Sequence, residues 1–156
     1  MRVLVTGGCG YIGSVLVPLL QESPAVHRVT VLDSLDSGSP ANLRSADVGS
    51  DDLLFREGDV RGYGTVESAM RDVDTVVHLA AVTGAASTHD RAETTRAVNL
   101  EGTKNVLRAA RKFDVERVVF ASSCNNYGRT DERELDETVE PEPINPYAET
   151  KLAAEQ

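Results

Sequence analysis

The chain has 156 residues, of which 40% are hydrophobic and 26% are charged, the balance of a globular protein with one domain. A chain of this length buries about 70% of the surface that it exposes when unfolded, which is enough for a hydrophobic core. Its formal net charge of −9 argues against nucleic acids and anionic membranes as partners, because both attract basic patches. No apolar run approaches the roughly 20 residues of a membrane span and the first residues show no signal peptide, so we expect a cytoplasmic protein.

Strand-like and helix-like segments alternate along the chain. Short β-branched runs predict strands, and the amphipathic stretches between them predict helices. This alternation predicts an α/β fold, a doubly wound parallel sheet with helices on both faces. A polar loop of about twenty residues, long enough to be functional, precedes the last helix. The predicted strands are 2–6, 27–33, 53–60, 74–81 and 117–123, and the predicted helices are 11–22, 65–72, 98–113 and the residues from 146 onward.

A glycine-rich stretch, VTGGCGYIG, follows the first predicted strand and opens the first predicted helix. Gly8, Gly10 and Gly13 fit G-x-G-x-x-G, and Gly7, Gly10 and Gly13 fit G-x-x-G-x-x-G. Glycines permit a tight turn and let a pyrophosphate approach the backbone, while the N–H groups of the helix N-terminus attract phosphate. The stretch therefore predicts a dinucleotide-binding turn, with tight packing alone as the alternative.

Asp33 ends the second predicted strand, twenty residues after Gly13. A carboxylate at this place can accept hydrogen bonds from both hydroxyls of an adenosine ribose, and it repels a 2′-phosphate. A cap after the strand is the structural alternative. We therefore predict NAD rather than NADP as the cofactor, with Ser34 as a neighbouring contact.

The two cysteines, Cys9 and Cys124, show neither a zinc-ligand spacing nor a CxxC pair, and we predict no metal site. A structural disulfide is rare in the cytosol. We interpret both cysteines as small, buried residues.

Six motifs occur in order from residue 2 to the end of the chain: TGGCGYIG, GDV, HLAA, VNLEGTKNVL, SSCNNYG and NPYAETK. Together they resemble the extended short-chain dehydrogenase/reductases, the nucleotide-sugar epimerase/dehydratase group. The resemblance implies that residues 1–156 form an NAD-binding Rossmann domain. It also implies that the usual C-terminal substrate domain is missing, so we expect a truncated chain.

The resemblance further implies which residues contact the cofactor. It assigns the adenine contacts to Asp59 and Val60, and it gives Asn99 a role in bracing the central strands near the active site. The full set of cofactor-binding residues that it predicts is Gly7, Gly10, Tyr11, Ile12, Gly13, Asp33, Ser34, Asp59, Val60, Leu79, Ala80, Ala81, Asn99 and Lys151.

Tyr147 and Lys151 form a Y-x-x-x-K pair in the last predicted helix. Residues at i and i+4 share a helix face, so the ammonium can favour the phenolate that exchanges a proton with a sugar hydroxyl. Exposed helix surface is the alternative for such a pair. The family places its third catalytic group four residues before the tyrosine of SSCNNYG, which implies Ser123 rather than Ser122. Thr83 is a weaker candidate for substrate contact.

One departure from the family pattern narrows the chemistry. Members that act as 4,6-dehydratases carry an Asp-Glu pair directly after the catalytic hydroxyl residue, where this chain has Cys124 and Asn125. The resemblance therefore favours an NAD-dependent nucleotide-sugar epimerase of the 4-epimerase type. A nucleotide-sugar ketoreductase or dehydrogenase, and an NAD-binding module without turnover, remain open. The resemblance also implies a homodimer through the helices at 99–113 and 147–156.

Overall fold

The computed structural model describes residues 1–129 and 134–156. Its strands are β1 (Arg2–Thr6), β2 (Arg28–Asp33), β3 (Leu53–Glu57), β4 (Thr75–His78) and β5 (Arg117–Phe120). Its α-helices are α1 (Gly13–Glu22), α2 (Tyr63–Ala69), α3 (Ala85–Asp90), α4 (Ala92–Arg96), α5 (Gly102–Lys112) and α6 (Pro146–Glu155). Two 3₁₀ turns (Pro40–Leu43 and Cys124–Tyr127) and a π-helical segment (Ala97–Glu101) complete the regular structure of these ranges.

The five strands form one parallel sheet in the order β3-β2-β1-β4-β5. The chain runs outward from β1 to β3, returns to β4 on the other side of β1, and continues to β5. The strand order therefore reverses between β1 and β4, where open α/β sheets bind their ligands at the carboxyl ends of the strands. The predicted doubly wound parallel sheet is confirmed.

Two compact units make up the chain. Unit 1 comprises Met1–Ala80 and Gly102–Ala121, and unit 2 comprises Ala81–Glu101 and Ser122–Gln156. Unit 1 contains the sheet with α1, α2 and α5, and unit 2 contains α3, α4, the π-helical segment and α6. The assignment of residues 1–156 to one domain stays a prediction.

Along each strand of unit 1 the side chains point alternately to the two faces of the sheet, and both faces are buried. On one face, Val17 of α1 packs with Val3, Val5, Val29 and Val31 in the hydrophobic core. On the other face, His78 of β4 is hydrogen-bonded to Thr103 of α5. β5 is an outer strand that pairs with β4 alone among the described residues, and its Val119 is 46% exposed.

The predicted helix 98–113 is interrupted. The structure has a π-helical segment at Ala97–Glu101, and α5 begins only at Gly102. The side-chain amide of Asn99 in this segment is hydrogen-bonded to the backbone of Val82, and π-helical turns of this kind often mark functional sites. Helix α3 was not predicted, because its residues AASTHD lack an apolar period. None of the helices in the described ranges is long and apolar enough to cross a membrane.

Candidate functional site

The glycine turn after β1 lies in unit 1 against the end of β4. Gly7 has a φ of +73°, and a Cβ at this position would lie 2.6 Å from the backbone nitrogen of Ala80. The N–H of Gly7 donates to the carbonyl oxygen of Leu32 at 2.8 Å, which fixes the turn between β2 and β4. Gly7 is thus the first glycine of the motif, because it occupies the left-handed conformation that the tight turn requires.

The N-terminus of α1 completes this turn. A Cβ on Gly13 would lie 2.4 Å from the carbonyl oxygen of Gly8, so the helix start and the turn are in direct contact. No side chain of the described residues caps α1, and Tyr11 and Ile12 are 96% and 60% exposed. The N–H groups of Ser14 and Leu16 already donate to the carbonyl oxygens of Gly10 and Ile12. The exposed residues before them and the positive end of the helix dipole leave space and charge for a pyrophosphate, and NAD fits this part of unit 1.

Asp33 lies at the end of β2 and is 8% exposed. One of its carboxylate oxygens accepts from the backbone N–H of Cys9 at 2.9 Å, and the other accepts from that of Leu35 at 2.9 Å. Asp33 therefore holds the glycine turn in place, which is the structural role that the sequence left open as an alternative. Each carboxylate oxygen can accept a second hydrogen bond, which leaves capacity for a ribose hydroxyl. Contact with a ribose stays a prediction. Ser34 beside it is exposed.

Asp59 and Val60 follow β3. Arg61 pairs with Asp59 at 2.6 Å between Nη2 and Oδ2, and these hydrogen bonds hold the pKa of the Asp59 carboxyl below its ordinary value. The carbonyl oxygen of Val60 accepts from Asn105 Nδ2 at 3.0 Å, and the Val60 side chain is buried. Both residues are thus rigidly held, and their contact with adenine stays a prediction.

His78 fixes the end of β4 through buried hydrogen bonds. This role was not predicted from the sequence. The Nδ1 of His78 lies 2.6 Å from Thr6 Oγ1, and its Nε2 lies 2.9 Å from Thr103 Oγ1. The hydroxyl oxygen of Thr6 in turn accepts from the N–H of Ala80 at 3.3 Å. This buried chain fixes the backbone at Leu79 and Ala80, which both lie half-buried beside the glycine turn. The signal in the sequence for the role of His78 was a histidine inside the otherwise apolar run TVVHLAA.

The Y-x-x-x-K pair lies on α6 in unit 2. The side chain of Asn145 caps this helix by accepting from the N–H of Ala148 at 2.9 Å, and Pro146 occupies the first turn. Tyr147 is half-buried and Lys151 is 3% exposed. The Nζ of Lys151 lies 5.9 Å from the centre of the Tyr147 ring, so the two side chains share one helix face.

Burial changes the proton affinity of Lys151. It lowers the pKa of the Lys151 ammonium from 10.5 to about 8. The lysine is therefore protonated at neutral pH, and the folded chain holds a poorly hydrated positive charge beside a phenol. The role of this pair in proton transfer stays a prediction.

Replacing Lys151 by methionine is expected to raise the free energy of unfolding of the cofactor-free chain at pH 7 by about 2 kcal/mol. The difference between 10.5 and about 8 corresponds to about 3 kcal/mol of unfavourable burial, and lost contacts of the ammonium offset part of it. Between pH 8 and 10.5 the unfolded chain binds more protons than the folded chain, so wild-type stability rises with pH and the advantage of the variant shrinks.

Urea unfolding of both proteins from pH 7 to pH 10.5 measures this effect. The exposed Lys104, changed to methionine, is the control, and we expect no such pH-dependent gain from it. An advantage of Lys151→Met that stays constant over this pH range would contradict the assigned pKa.

Asn99 links three segments of unit 2. Its Oδ1 accepts from the N–H of Val82 at 2.8 Å, and its Nδ2 donates to the Val82 carbonyl at 3.0 Å. The Nδ2 also donates to Thr150 Oγ1 of α6 at 3.2 Å. Asn99 therefore braces the chain after β4 against α6, and its contact with a cofactor stays a prediction. In that braced segment Ala81 is half-buried and Thr83 is exposed.

Ser123 precedes the 3₁₀ turn at Cys124–Tyr127 and caps it. Its Oγ accepts from the N–H of Asn125 at 3.2 Å, which leaves the hydroxyl hydrogen to donate elsewhere. Ser122 differs, since its hydroxyl is hydrogen-bonded to Glu155. The buried position predicted for Cys124 is wrong: Cys124 is exposed because it starts the turn, whereas Cys9 is buried under the glycine turn.

The predicted residues thus fall into two groups. Unit 1 holds the glycine turn and the residues that follow β2, β3 and β4, and unit 2 holds the reacting groups. The group in unit 1 is Gly7, Gly10, Tyr11, Ile12, Gly13, Asp33, Ser34, Asp59, Val60, Leu79 and Ala80, and the group in unit 2 is Ala81, Thr83, Asn99, Ser123, Tyr147 and Lys151.

Known proteins resemble this chain in sequence and in structure. A sequence profile of the NAD dependent epimerase/dehydratase family matches residues 3–156. The chain is 34% identical to a UDP-glucose 4-epimerase of Halalkalibacterium halodurans over 158 residues, which cover 100% of this chain and 45% of that protein.

Solved structures are similar in the same region. The dTDP-glucose 4,6-dehydratase DesIV from Streptomyces venezuelae, solved with NAD and TYD bound, matches with a TM-score of 0.90 and 36% identity. The UDP-glucose 4-epimerase of Thermus thermophilus, solved in complex with NAD, matches with a TM-score of 0.87 and 38% identity. Each match covers 99% of this chain and 49% of the other. The chain therefore spans about half the length of its relatives.

Proposed function

Because the chain belongs to the NAD-dependent epimerase/dehydratase family, we propose that it acts in the 4-epimerisation of a nucleotide-sugar. The observation that carries this proposal is the buried ammonium of Lys151, 5.9 Å from the ring of Tyr147 on the same face of α6. A phenol beside such a charge is suited to exchange a proton with a sugar hydroxyl at neutral pH. A cytoplasmic location is part of the proposal, and the two free cysteines are compatible with it.

The family resemblance supplies the residues that are proposed to hold the cofactor. The glycine turn and the N-terminus of α1 would bind the pyrophosphate, Asp33 and Ser34 the adenosine ribose, and Asp59 with Val60 the adenine. The nicotinamide half would be bound by Leu79, Ala80, Ala81, Asn99 and Lys151. Bound NAD supplies the hydride acceptor for sugar C4, and later the donor that returns hydride to the other face.

Three side chains of unit 2 would handle the sugar hydroxyl. Tyr147 takes the proton of the C4 hydroxyl and gives it back to the epimerised sugar. Ser123 donates its hydroxyl hydrogen to the same sugar oxygen, since its own Oγ is already oriented by the N–H of Asn125. Lys151 holds its ammonium 5.9 Å from the centre of the Tyr147 ring, next to the reacting groups.

Two exposed residues argue against dehydration. Cys124 and Asn125 stand where the dehydratases of the family carry an acid pair, and neither side chain can act as a carboxylic acid. Identity alone does not separate the two activities, since an epimerase and a dehydratase structure match this chain about equally well. A ketoreductase or dehydrogenase would also use Ser123, Tyr147 and Lys151, but a ketoreductase would consume NADH and a dehydrogenase would release it.

The proposal predicts that the chain binds NAD at least tenfold more tightly than NADP, because the carboxylate of Asp33 repels a 2′-phosphate. Calorimetric titration with each dinucleotide measures this preference. The same sample is then assayed with UDP-glucose, UDP-galactose and their N-acetylated forms, with absorbance recorded for free NADH. Sugar interconversion without NADH release is the expected result.

Other outcomes select the alternatives. Net NADH release would identify a dehydrogenase, and tight NAD binding with zero turnover would identify a binding module. Equal affinity for NAD and NADP would contradict the role given to Asp33.

The partners belong to the proposal as well. A nucleotide-sugar is the proposed substrate, and the net charge of −9 disfavours nucleic acids and anionic membranes. A homodimer through the helices at 99–113 and 147–156 is proposed from the family resemblance. Sedimentation analysis of the chain measures it.

A further inference from the structure

Three polar side chains of unit 2 form a cluster that the function proposed above does not use. Asn126 is 4% exposed, and its Nδ2 donates to Glu155 Oε1 at 3.0 Å and to Ser122 Oγ at 3.2 Å. The Ser122 hydroxyl also donates to Glu155 Oε1. We call Ser122, Asn126 and Glu155 the Asn126 clasp.

The orientation of the Asn126 amide follows from its partner. A carboxylate accepts hydrogen bonds and does not donate them, so the NH₂ group must face Glu155. The Oδ1 atom on the other side is buried and has no hydrogen-bond partner among the described residues. An orphaned buried acceptor costs about 1–3 kcal/mol, which an apolar side chain of the same size would avoid. Stability alone therefore does not account for an asparagine here.

The Asn126 clasp lies next to Ser123. Ser122 precedes it directly, and the N–H of Asn126 donates to the Ser123 carbonyl at 3.1 Å. The third member, Glu155, lies on α6 one turn after Lys151. The clasp thus joins the turn that carries the serine hydroxyl to the helix that carries the phenol and the ammonium.

We propose that Asn126 is a positioning residue, which holds Ser123 in register with Tyr147 and Lys151 through Glu155. This inference rests on the proposed function, because it assumes that these three groups act on one sugar oxygen. Catalytic groups must be held within about 0.5 Å of their productive places, and a displacement of about 1 Å can lower the rate about a hundredfold.

Amide hydrogen exchange tests the clasp without reference to activity. The N–H groups of Asn125, residue 126 and Gly128 all donate within this turn. In Asn126→Leu and in Glu155→Ala we expect their exchange to become at least tenfold faster, because the turn loses its tie to α6. In Glu155→Gln we expect slow exchange as in the wild type, because the glutamine keeps an acceptor oxygen. Removal of the orphaned Oδ1 should keep the thermal unfolding midpoint of Asn126→Leu at or above that of the wild type.

Steady-state kinetics of epimerisation give the second readout. In Asn126→Leu and Glu155→Ala we expect kcat to fall about tenfold to a hundredfold, with KM and NAD affinity within about twofold of the wild type. In Glu155→Gln we expect kcat to be as in the wild type. Gln21→Ala is the matched control, because Gln21 is another amide that bridges a helix to a loop, through Asp47, Ser50 and Asp52 of unit 1.

The outcomes separate this inference from the proposed function. Unchanged exchange in both Asn126→Leu and Glu155→Ala overturns the clasp, and so does the same acceleration in Gln21→Ala. If Asn126→Leu does not fold, the contrast between Glu155→Ala and Glu155→Gln decides. A wild-type chain that lacks turnover contradicts the proposed function, and exchange at the three amides then decides the clasp by itself.

Discussion

Replacing Tyr147 by phenylalanine is expected to lower kcat for sugar epimerisation about a thousandfold. The variant keeps the ring that packs 5.9 Å from Lys151 Nζ and loses only the hydroxyl that exchanges the proton. We therefore expect NAD affinity within about threefold of the wild type and unchanged secondary structure. Steady-state kinetics, calorimetric NAD titration and circular dichroism measure the three quantities.

Tyr63→Phe is the matched control for this experiment. Tyr63 lies on α2 in unit 1 and stacks with the guanidinium of Arg108, 4.2 Å from its ring centre. We expect its kcat to remain within about twofold of the wild type. If Tyr147→Phe kept wild-type turnover, the phenol would not be the proton-transfer group and the proposed function would lose its main support.

Replacing Gly7 by alanine is expected to abolish measurable NAD binding and to lower the free energy of unfolding by about 3 kcal/mol. The left-handed φ of +73° costs a residue with a Cβ about 1–2 kcal/mol. The Cβ would also lie 2.6 Å from the backbone of Ala80, which cannot move without disturbing the hydrogen bond to Thr6. Urea unfolding and calorimetric titration measure both effects.

Gly64→Ala is the control, because nothing lies within 4 Å of a Cβ at this position in α2. We expect it to bind NAD normally and to be stabilised by up to about 1 kcal/mol, the gain in helix propensity. Normal NAD affinity in Gly7→Ala would show that the cofactor does not depend on the geometry of this turn.

Much of the fold could be predicted because strand and helix patterns here agree with the tertiary structure. The run RVLVT is β1 from end to end, and the strand predicted at 27–33 differs from β2 by one residue. The helix predicted at 98–113 begins as the π-helical segment Ala97–Glu101, in which the Asn99 side chain is hydrogen-bonded to the backbone of Val82. Such a contact leaves no trace in the local periodicity.

The candidate site was predictable to a similar degree. The six motifs predict the candidate residues, and the structure shows the physical setting of several of them: the left-handed Gly7, the buried Lys151 and the bracing Asn99. His78 and Asn126 were missed, because their roles depend on partners 25 to 72 residues away in the sequence. The exposure of Cys124 was also missed, since its burial had been inferred only from the lack of a zinc-ligand spacing, a CxxC pair and an expected disulfide.

The two outer strands of the described sheet, β3 and β5, differ in how readily a strand of another polypeptide could pair with them. Arg56 and Glu57 are exposed at the end of β3, and charged side chains on an edge strand disfavour pairing with a strand of another molecule. The sequence of β5, RVVF, has one charge at its start and then three apolar residues. Recruitment of another chain, whether a second molecule in concentrated solution or a designed β-peptide, is therefore expected at β5 first.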